Sequence, residues 1–446
     1  MNTKKYEVKC PNIINKEKLV KVVVPGSKSI TNRALLLAAM ANGTSTIKGC
    51  LTSEDAHHFL ECLKTLGFPV KEASDGGLGS DITITGFGGE IPNKKAEIYV
   101  GSAGTAARFL VAMLAFSDGD YIVNSSEQMK KRPMQPLIDA LRNAGAQVHC
   151  LENEGHFPLH IIGPKDKSMI PDTFTVNIDK SSQFLSALLI AVGTLKKTAK
   201  IQVVGNHGLS YVDMTAEMMK SFGITVNKIV ENGQISYKFT GAGIYQALTY
   251  HVEPDMSAAA YFYALAGVLG VSISVQGVTN HMLQGDVEFL RLLEKMECML
   301  DVSENNCIIV QGPQNGVLKG GFFIDMSAFS DQALTLAAIA PFADGPITIT
   351  GIGHIRLQEC DRIAAISNNL RALGIKVEEK EDSVTIYPGK PSKCEIETYE
   401  DHRVAMSFAL TGLRTEGVVI QNPDCCKKTF AEYFEVLEQV LEEISN

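Results

Sequence analysis

Apolar residues in this chain gather into six long blocks, each opened by small polar or charged residues and closed by a glycine. The blocks run from Ser29-Ile30-Thr31-Asn32-Arg33 to Gly43, Thr105-Ala106-Ala107-Arg108 to Gly119, Ser181-Ser182-Gln183 to Gly193, Ser257-Ala258-Ala259 to Gly270, Asp331-Gln332-Ala333 to Gly345 and Asp401-His402-Arg403 to Gly417. Near-continuous hydrophobicity over such lengths predicts buried helices, capped by Ser, Thr or Asp and stopped by glycine. The openings stand 76, 76, 76, 74 and 70 residues apart, which marks an internal repeat.

Between the blocks lie amphipathic stretches with apolar residues at i, i+1, i+4 and i+7, such as Phe59-Leu60, Leu63 and Leu66-Gly67, or Ile366, Leu370 and Leu373-Gly374. They predict half-exposed helices, and runs such as Ala146-Gln147-Val148 after them predict strands. The chain is therefore expected to be α/β, built as two similar domains, each of three repeated α/β units with buried parallel helices. Tyr250-His251-Val252-Glu253-Pro254-Asp255 is the natural crossing point. The last copy ends on its helix at Asn446, so the N-terminal stretch is expected to complete it. The expected domains are 1–22 with 253–446, holding repeats four to six, and 23–252, holding repeats one to three.

With 446 residues the chain exceeds what one core sustains, in keeping with two domains. Hydrophobic residues at 45% and charged residues at 20% are globular proportions and exclude a fibrous or disordered chain. Apolar runs such as Ser186–Val192 stop at Gly193 and Lys196-Lys197, too short to span a bilayer, and Met1-Asn2-Thr3-Lys4-Lys5-Tyr6-Glu7 lacks an apolar signal core. A cytoplasmic protein without membrane attachment is expected. Its ten cysteines show no CxxC or Cys/His metal spacing, so they read as free thiols, including the neighbours Cys425 and Cys426. A net charge of −9 repels nucleic acid, so anionic ligands must be drawn by clustered cations.

Helix N-termini favour anions, and two domains that aim three apolar helices each at a common cleft would hold a phosphorylated ligand. Cations stand at these openings: Lys28, Arg33, Arg108 and Arg403, with Lys130-Lys131-Arg132, Arg356, Arg362 and Lys427-Lys428 beside the repeats. Arg33 and Arg403 favour a ligand role, because the first turn of a helix is a poor place for a cation without an anion. The lysines at 130, 131 and 427 read as solvated. Asp331 reads either as a cap or as an acid–base group, and Glu359 either as a salt-bridge partner or as one. His354 and His402 stand near these groups, whereas His57-His58 read as surface residues.

Val24-Pro25-Gly26-Ser27-Lys28-Ser29 with Asn32-Arg33 resembles the signature of the 5-enolpyruvylshikimate-3-phosphate synthase family of enolpyruvyl transferases. The likeness continues at Gly101-Ser102-Ala103-Gly104-Thr105, Lys131-Arg132-Pro133-Met134, Ser181-Ser182-Gln183-Phe184, Glu359-Cys360-Asp361-Arg362, Asp401-His402-Arg403 and Lys428-Thr429-Phe430, and so covers essentially the whole chain. The resemblance implies the family's inside-out barrel fold and transfer of enolpyruvate from phosphoenolpyruvate to the 5-hydroxyl of shikimate 3-phosphate. It implies that Lys28, Ser29, Arg33, Ser181, Ser182, Gln183, Tyr211 and Asp331, with His354 and Gln358, hold shikimate 3-phosphate. Lys28, Gly104, Arg132, Gln183, Arg362, Arg403 and Lys428 would hold phosphoenolpyruvate. Asp331 resembles the base, and Lys28 and Glu359 the groups that move protons at the tetrahedral intermediate. No metal or cofactor is implied, and a monomer is expected.

The sequence departs from the family pattern at Ser102, where Asn is usual, at Phe109, where Pro is usual, and at Gln358, where Lys is usual. Gly208 stands where a serine or arginine commonly meets phosphate, with His207 and Ser210 as neighbours able to compensate. Two rivals follow: the sister enzyme that transfers enolpyruvate to UDP-N-acetylglucosamine, and a non-catalytic anion-binding paralogue. The loop Ser125–Lys131 lacks the cysteine typical of the sister enzyme, and retention of Lys28, Asp331 and Glu359 weighs against decay.

Overall fold

The computed structural model describes residues 4–241 and 243–446. Residues 1–3, where the segment read for an export signal and the first expected domain both begin, lie outside the described residues. Two compact units divide the chain, Met1–Pro25 with Glu253–Asn446, and Gly26–Val252.

The second repeat shows how each unit is built. Lys95–Tyr99 runs parallel to Asp120–Asn124, with Lys95 opposite Asp120 and Tyr99 opposite Asn124. A parallel pair needs a crossover, and the helix Gly104–Ala115 provides it. All twelve of its residues are buried, which explains why its sequence carries no polar stripe. The helix Gln135–Asn143 follows and buries Leu137, Ile138, Ala140 and Leu141, so an alternating pattern sufficed there. Gln147–Cys150 and Leu159–Ile162 then close a four-stranded sheet in antiparallel fashion. The same order recurs in the third and fifth repeats.

The remaining sheets borrow strands across the chain. Thr249–His251 pairs in parallel with Asn42–Leu51 and supplies the first strand of repeat one. Lys5–Glu7 pairs antiparallel with Val418–Gln421 in the last repeat. The N-terminal stretch does not serve that repeat alone: Leu19–Val22 runs parallel to Ser272–Val275 and supplies the first strand of repeat four. In both units the strand that starts the first repeat is thus laid down just before the chain leaves for the other unit.

Inside one unit the helices Lys28–Met40, Gly104–Ala115 and Gln183–Val192 pack in succession, and inside the other Met256–Leu269, Ala333–Ile339 and His402–Gly412 pack on each other. Burial of each large apolar side chain contributes about 1.5–3 kcal/mol, so these helices supply the core of both units. Among the described residues no helix is long and apolar enough to cross a membrane.

Candidate active site

The openings of the buried helices bring the chemistry together in each unit. In the unit Gly26–Val252, Ser27 caps the helix Lys28–Met40, its Oγ accepting the Ile30 N–H at 3.4 Å. Lys28 Nζ lies 3.9 Å from Oδ2 of Asp55, a buried acid on the first turn of the helix Glu54–Thr65. Gln183 joins two helix openings: its Nε2 donates to Thr105 Oγ1 at 3.1 Å, and its Oε1 accepts from Arg108 Nη1 at 2.7 Å. Ser181 Oγ accepts the Gln183 N–H at 3.3 Å, and Ser182 lies buried beside it. Gly208 precedes the helix Leu209–Ser221 with φ +62°, and a Cβ there would stand 2.7 Å from Ser182 Oγ. The left-handed backbone and the crowding by Ser182 favour glycine at this turn, and the serine or arginine common in the family would be strained here.

Gly104 is a second place where a side chain would crowd its neighbours. A Cβ built there would fall on the guanidinium of Arg132 and lie 2.9 Å from Arg108 Nη1. The absence of a methyl lets two arginines converge over the start of the helix Gly104–Ala115.

Arg33 is buried, and its guanidinium is bonded to groups of the protein itself. Its Nε donates to Thr215 Oγ1 at 2.7 Å, Nη1 to the Ser29 carbonyl at 2.9 Å, and Nη2 to the Tyr211 carbonyl at 3.1 Å. The guanidinium also stands 5.3 Å over the Phe109 ring, so the phenylalanine that replaces the usual proline stacks on a buried cation. Burial pulls the Arg33 pKa down to about 10, against the opposing influence of Tyr211 and Tyr250.

In the unit containing Glu253–Asn446, Arg362 is the hub. It is 1% exposed, yet donates Nε to Asp401 Oδ2 at 2.7 Å, Nη1 to Asp331 Oδ1 at 2.9 Å and Nη2 to Glu359 Oε2 at 2.9 Å. Burial opposes its charge, but Asp401, Glu359 and Asp331 outweigh burial and hold its pKa above the ordinary arginine value. Arg403 Nη2 donates to the other oxygen of Asp331 at 2.8 Å, and Lys428 Nζ lies 3.5 Å from Glu359 Oε1. Three carboxylates thus interleave with three cations. Gln358, in place of the usual lysine, turns its carbonyl to Arg362 Nη1, and His354 Nε2 lies 2.8 Å from Ser330 Oγ.

Asp401 is placed by a strained turn. Tyr399 and Glu400 adopt φ of 53° and 57°, left-handed conformations that cost non-glycine residues about 1–2 kcal/mol each. The turn lets Asp401 cap the helix His402–Gly412, accepting the Arg403 N–H at 2.9 Å, while it faces Arg362. His402 is buried, with Nδ1 3.6 Å from Asp401 Oδ1. Arg356 pairs with Asp361 and Glu379, and Lys130 with Glu127 and Glu152.

A family model described as EPSP synthase (3-phosphoshikimate 1-carboxyvinyltransferase) matches residues 15–437. The chain belongs to the EPSP synthase family. It is 41% identical over 423 residues to a 3-phosphoshikimate 1-carboxyvinyltransferase of Nostoc punctiforme, covering 95% of this chain and 96% of that protein. It is also 41% identical over 425 residues to 3-phosphoshikimate 1-carboxyvinyltransferase 2 of Halalkalibacterium halodurans, covering 94% and 91%. Among solved structures, EPSP synthase from Acinetobacter baumannii aligns with a TM-score of 0.78 at 25% identity over 98% of both chains. The resemblance read from the sequence and the α/β fold expected from it are both borne out.

Sequence reasoning gave no role to three groups of this EPSP synthase family member: Asp55 beside Lys28, Asp401 beside Arg362, and Asp286, considered below; Arg108 was read as a site cation, without its partner Gln183. Asp401 opens a buried helix as Asp331 does, and that shared position was the one signal available for it. Asp55 lies in an ordinary amphipathic helix, where nothing distinguishes it from a capping acid.

Proposed function

We propose that this protein transfers the enolpyruvyl group of phosphoenolpyruvate to the 5-hydroxyl of shikimate 3-phosphate and releases phosphate, a step of aromatic amino acid biosynthesis. Family membership supports the reaction. The observation that carries its assignment to residues is the position of Asp331, one oxygen on Arg362 and the other on Arg403.

Asp331 pairs with both cations. The carboxylate and phosphate of phosphoenolpyruvate compete for Arg362, Arg403 and Lys428, joined by Arg132, Lys28, Gln183 and the backbone at Gly104. Losing a cation raises the proton affinity of Asp331, which then takes the proton of the 5-hydroxyl as it attacks C2. Glu359, which takes up a proton as phosphoenolpyruvate draws Arg362 and Lys428 from it, delivers that proton to C3, which becomes a methyl in the tetrahedral intermediate. Phosphate then leaves as C3 returns its proton to Glu359, and Lys28 passes a proton to the departing phosphate. Ser29, Ser181, Ser182, Gln183 and Tyr211, with Lys28, His354 and Gln358, hold shikimate 3-phosphate. Arg33 acts from beneath, fixing the carbonyls of Ser29 and Tyr211. The reading includes a cytoplasmic enzyme that works as a monomer in two domains.

The test is phosphate release with phosphoenolpyruvate and either shikimate 3-phosphate or UDP-N-acetylglucosamine as acceptor. Release that depends on shikimate 3-phosphate is expected. Release with the sugar nucleotide alone, or with neither acceptor, overturns the reading.

A further inference from the structure

Behind Asp331 lies a second carboxylate for which the reaction above has no use. Asp286, on the turn Gly285–Val287, is 3% exposed. Ser257 Oγ, from the first turn of the helix Met256–Leu269, donates to its Oδ2, and Gln332 Nε2 donates to the same oxygen at 3.1 Å. Gln332 is the chain neighbour of Asp331 and is itself fully buried, its Oε1 accepting from Thr335 Oγ1 at 3.0 Å. Asp286 is therefore clamped to the turn Ser330–Gln332 that presents Asp331.

The turn carrying Asp286 is anchored in its own right. Gln284 Oε1 accepts the Met256 N–H at 2.9 Å and its Nε2 donates to the Pro254 carbonyl at 2.8 Å, while Glu253 accepts the Leu283 N–H at 3.0 Å. A buried acid on so fixed a frame cannot swing away from its neighbours. The charged groups facing it include Asp331 on the turn Ser330–Gln332, which disfavours its ionisation, and Arg403 on the helix His402–Gly412, which favours it; the helix Met256–Leu269 contributes the Ser257 hydroxyl.

We propose that Asp286 is a positioning residue for the reaction: through Gln332 it fixes the turn that presents Asp331, and its negative charge raises the proton affinity of Asp331 against the two arginines that hold it. The inference rests on the reading of Asp331 as the base. Two neighbouring carboxylates disfavour each other's ionisation, so each makes the other a stronger base. Burial first and Asp331 second push the Asp286 carboxyl up to about 6, so its charge appears as pH rises toward neutrality. Turnover should rise with it.

The experiment measures kcat and both KM values of the full-length enzyme from about pH 5 to about pH 9 for wild type, Asp286→Asn and Ser257→Ala. Wild-type kcat should climb through an ionisation near 6. Asp286→Asn keeps shape and loses charge, so this limb should vanish and kcat stay roughly tenfold below the wild-type plateau, with KM values within about threefold. Ser257→Ala removes a donor to the ionised carboxylate, so the limb should move to higher pH while the plateau is kept. A purely structural role would move neither limb. If Asp286→Asn keeps the wild-type limb, or Ser257→Ala leaves it in place, the proposal is overturned, and Ser257→Ala decides alone should the Asn variant not fold. A wild type that releases no phosphate with shikimate 3-phosphate fails earlier and differently, and removes the reaction together with this inference.

Discussion

Arg362 Nε and Asp401 Oδ2 meet at 2.7 Å with both side chains out of solvent, across a gap of 39 residues in the chain. Their contact ties the helix that starts at Arg362 to the capping residue of the helix that carries Arg403, the two arginines proposed for phosphoenolpyruvate. Removing one partner of a buried pair leaves the other charge uncompensated, which costs more than the pair contributes. Asp401→Ala should therefore destabilise the protein by about 3–5 kcal/mol, read from urea unfolding. A loss below about 1 kcal/mol, the range of surface pairs, would show that the contact does not hold the site together.

Asp331→Ala removes the proposed base and at the same time frees Arg362 and Arg403 from an internal acid. Turnover should fall by roughly a hundredfold or more, while the KM for phosphoenolpyruvate stays level or drops. Arg403→Ala should do the reverse, raising that KM with a smaller effect on kcat. Steady-state kinetics of the two variants separate the roles, and near-normal kcat in the Asp331 variant would remove its assignment as base.

Gly104→Ala places a methyl on the Arg132 guanidinium, which is the flexible end of a side chain and can retreat. The KM for phosphoenolpyruvate should rise severalfold. Glyphosate, which in this family occupies the same site and is longer than the substrate, should lose more affinity, because it has less slack for a displaced arginine. Inhibition constants against KM for both forms check this, and equal losses for the two ligands count against the pocket described.

Asp286 has a signature in stability as well as in turnover. Its carboxyl is raised from 3.8 to about 6 in the folded protein, so between these values the native state binds more protons than the unfolded chain. Its contribution to stability is full below 3.8 and is lost as pH rises through 6. Urea unfolding at about pH 4.5 and about pH 7.5 should show wild type losing about 2 kcal/mol relative to Asp286→Asn across the interval. A difference independent of pH would contradict the raised affinity for its proton.

Much of the architecture was legible because it is written in local pattern. An all-apolar block between a polar opening and a glycine can only be a buried helix, and six such blocks at a near-constant spacing announce a repeat. Cations at those openings, Lys28, Arg108 and Arg403, pointed to an anion site, since a helix start repels positive charge. The family motifs then named the chemistry.

Local pattern could not say which distant groups meet. Whether Leu19–Val22 pairs with the fourth repeat or the last depends on strand partners some 250 to 400 residues away, and both choices satisfy the same alternation. Whether Arg33 reaches outward or knits Thr215, Ser29 and Tyr211 together depends on how its helix packs against Leu209–Ser221. Gln358 folding back on Arg362, Asp401 set by two left-handed residues, and Asp286 clamped behind Asp331 are likewise products of close packing. The sequence by itself determined the repeat, the helices and the kind of ligand, because these follow from periodicity and residue chemistry. Only the tertiary structure decided the partner of each buried charge, because the free energy of a charge without water depends on the few atoms within reach of it, and those come from parts of the chain that sequence order keeps apart.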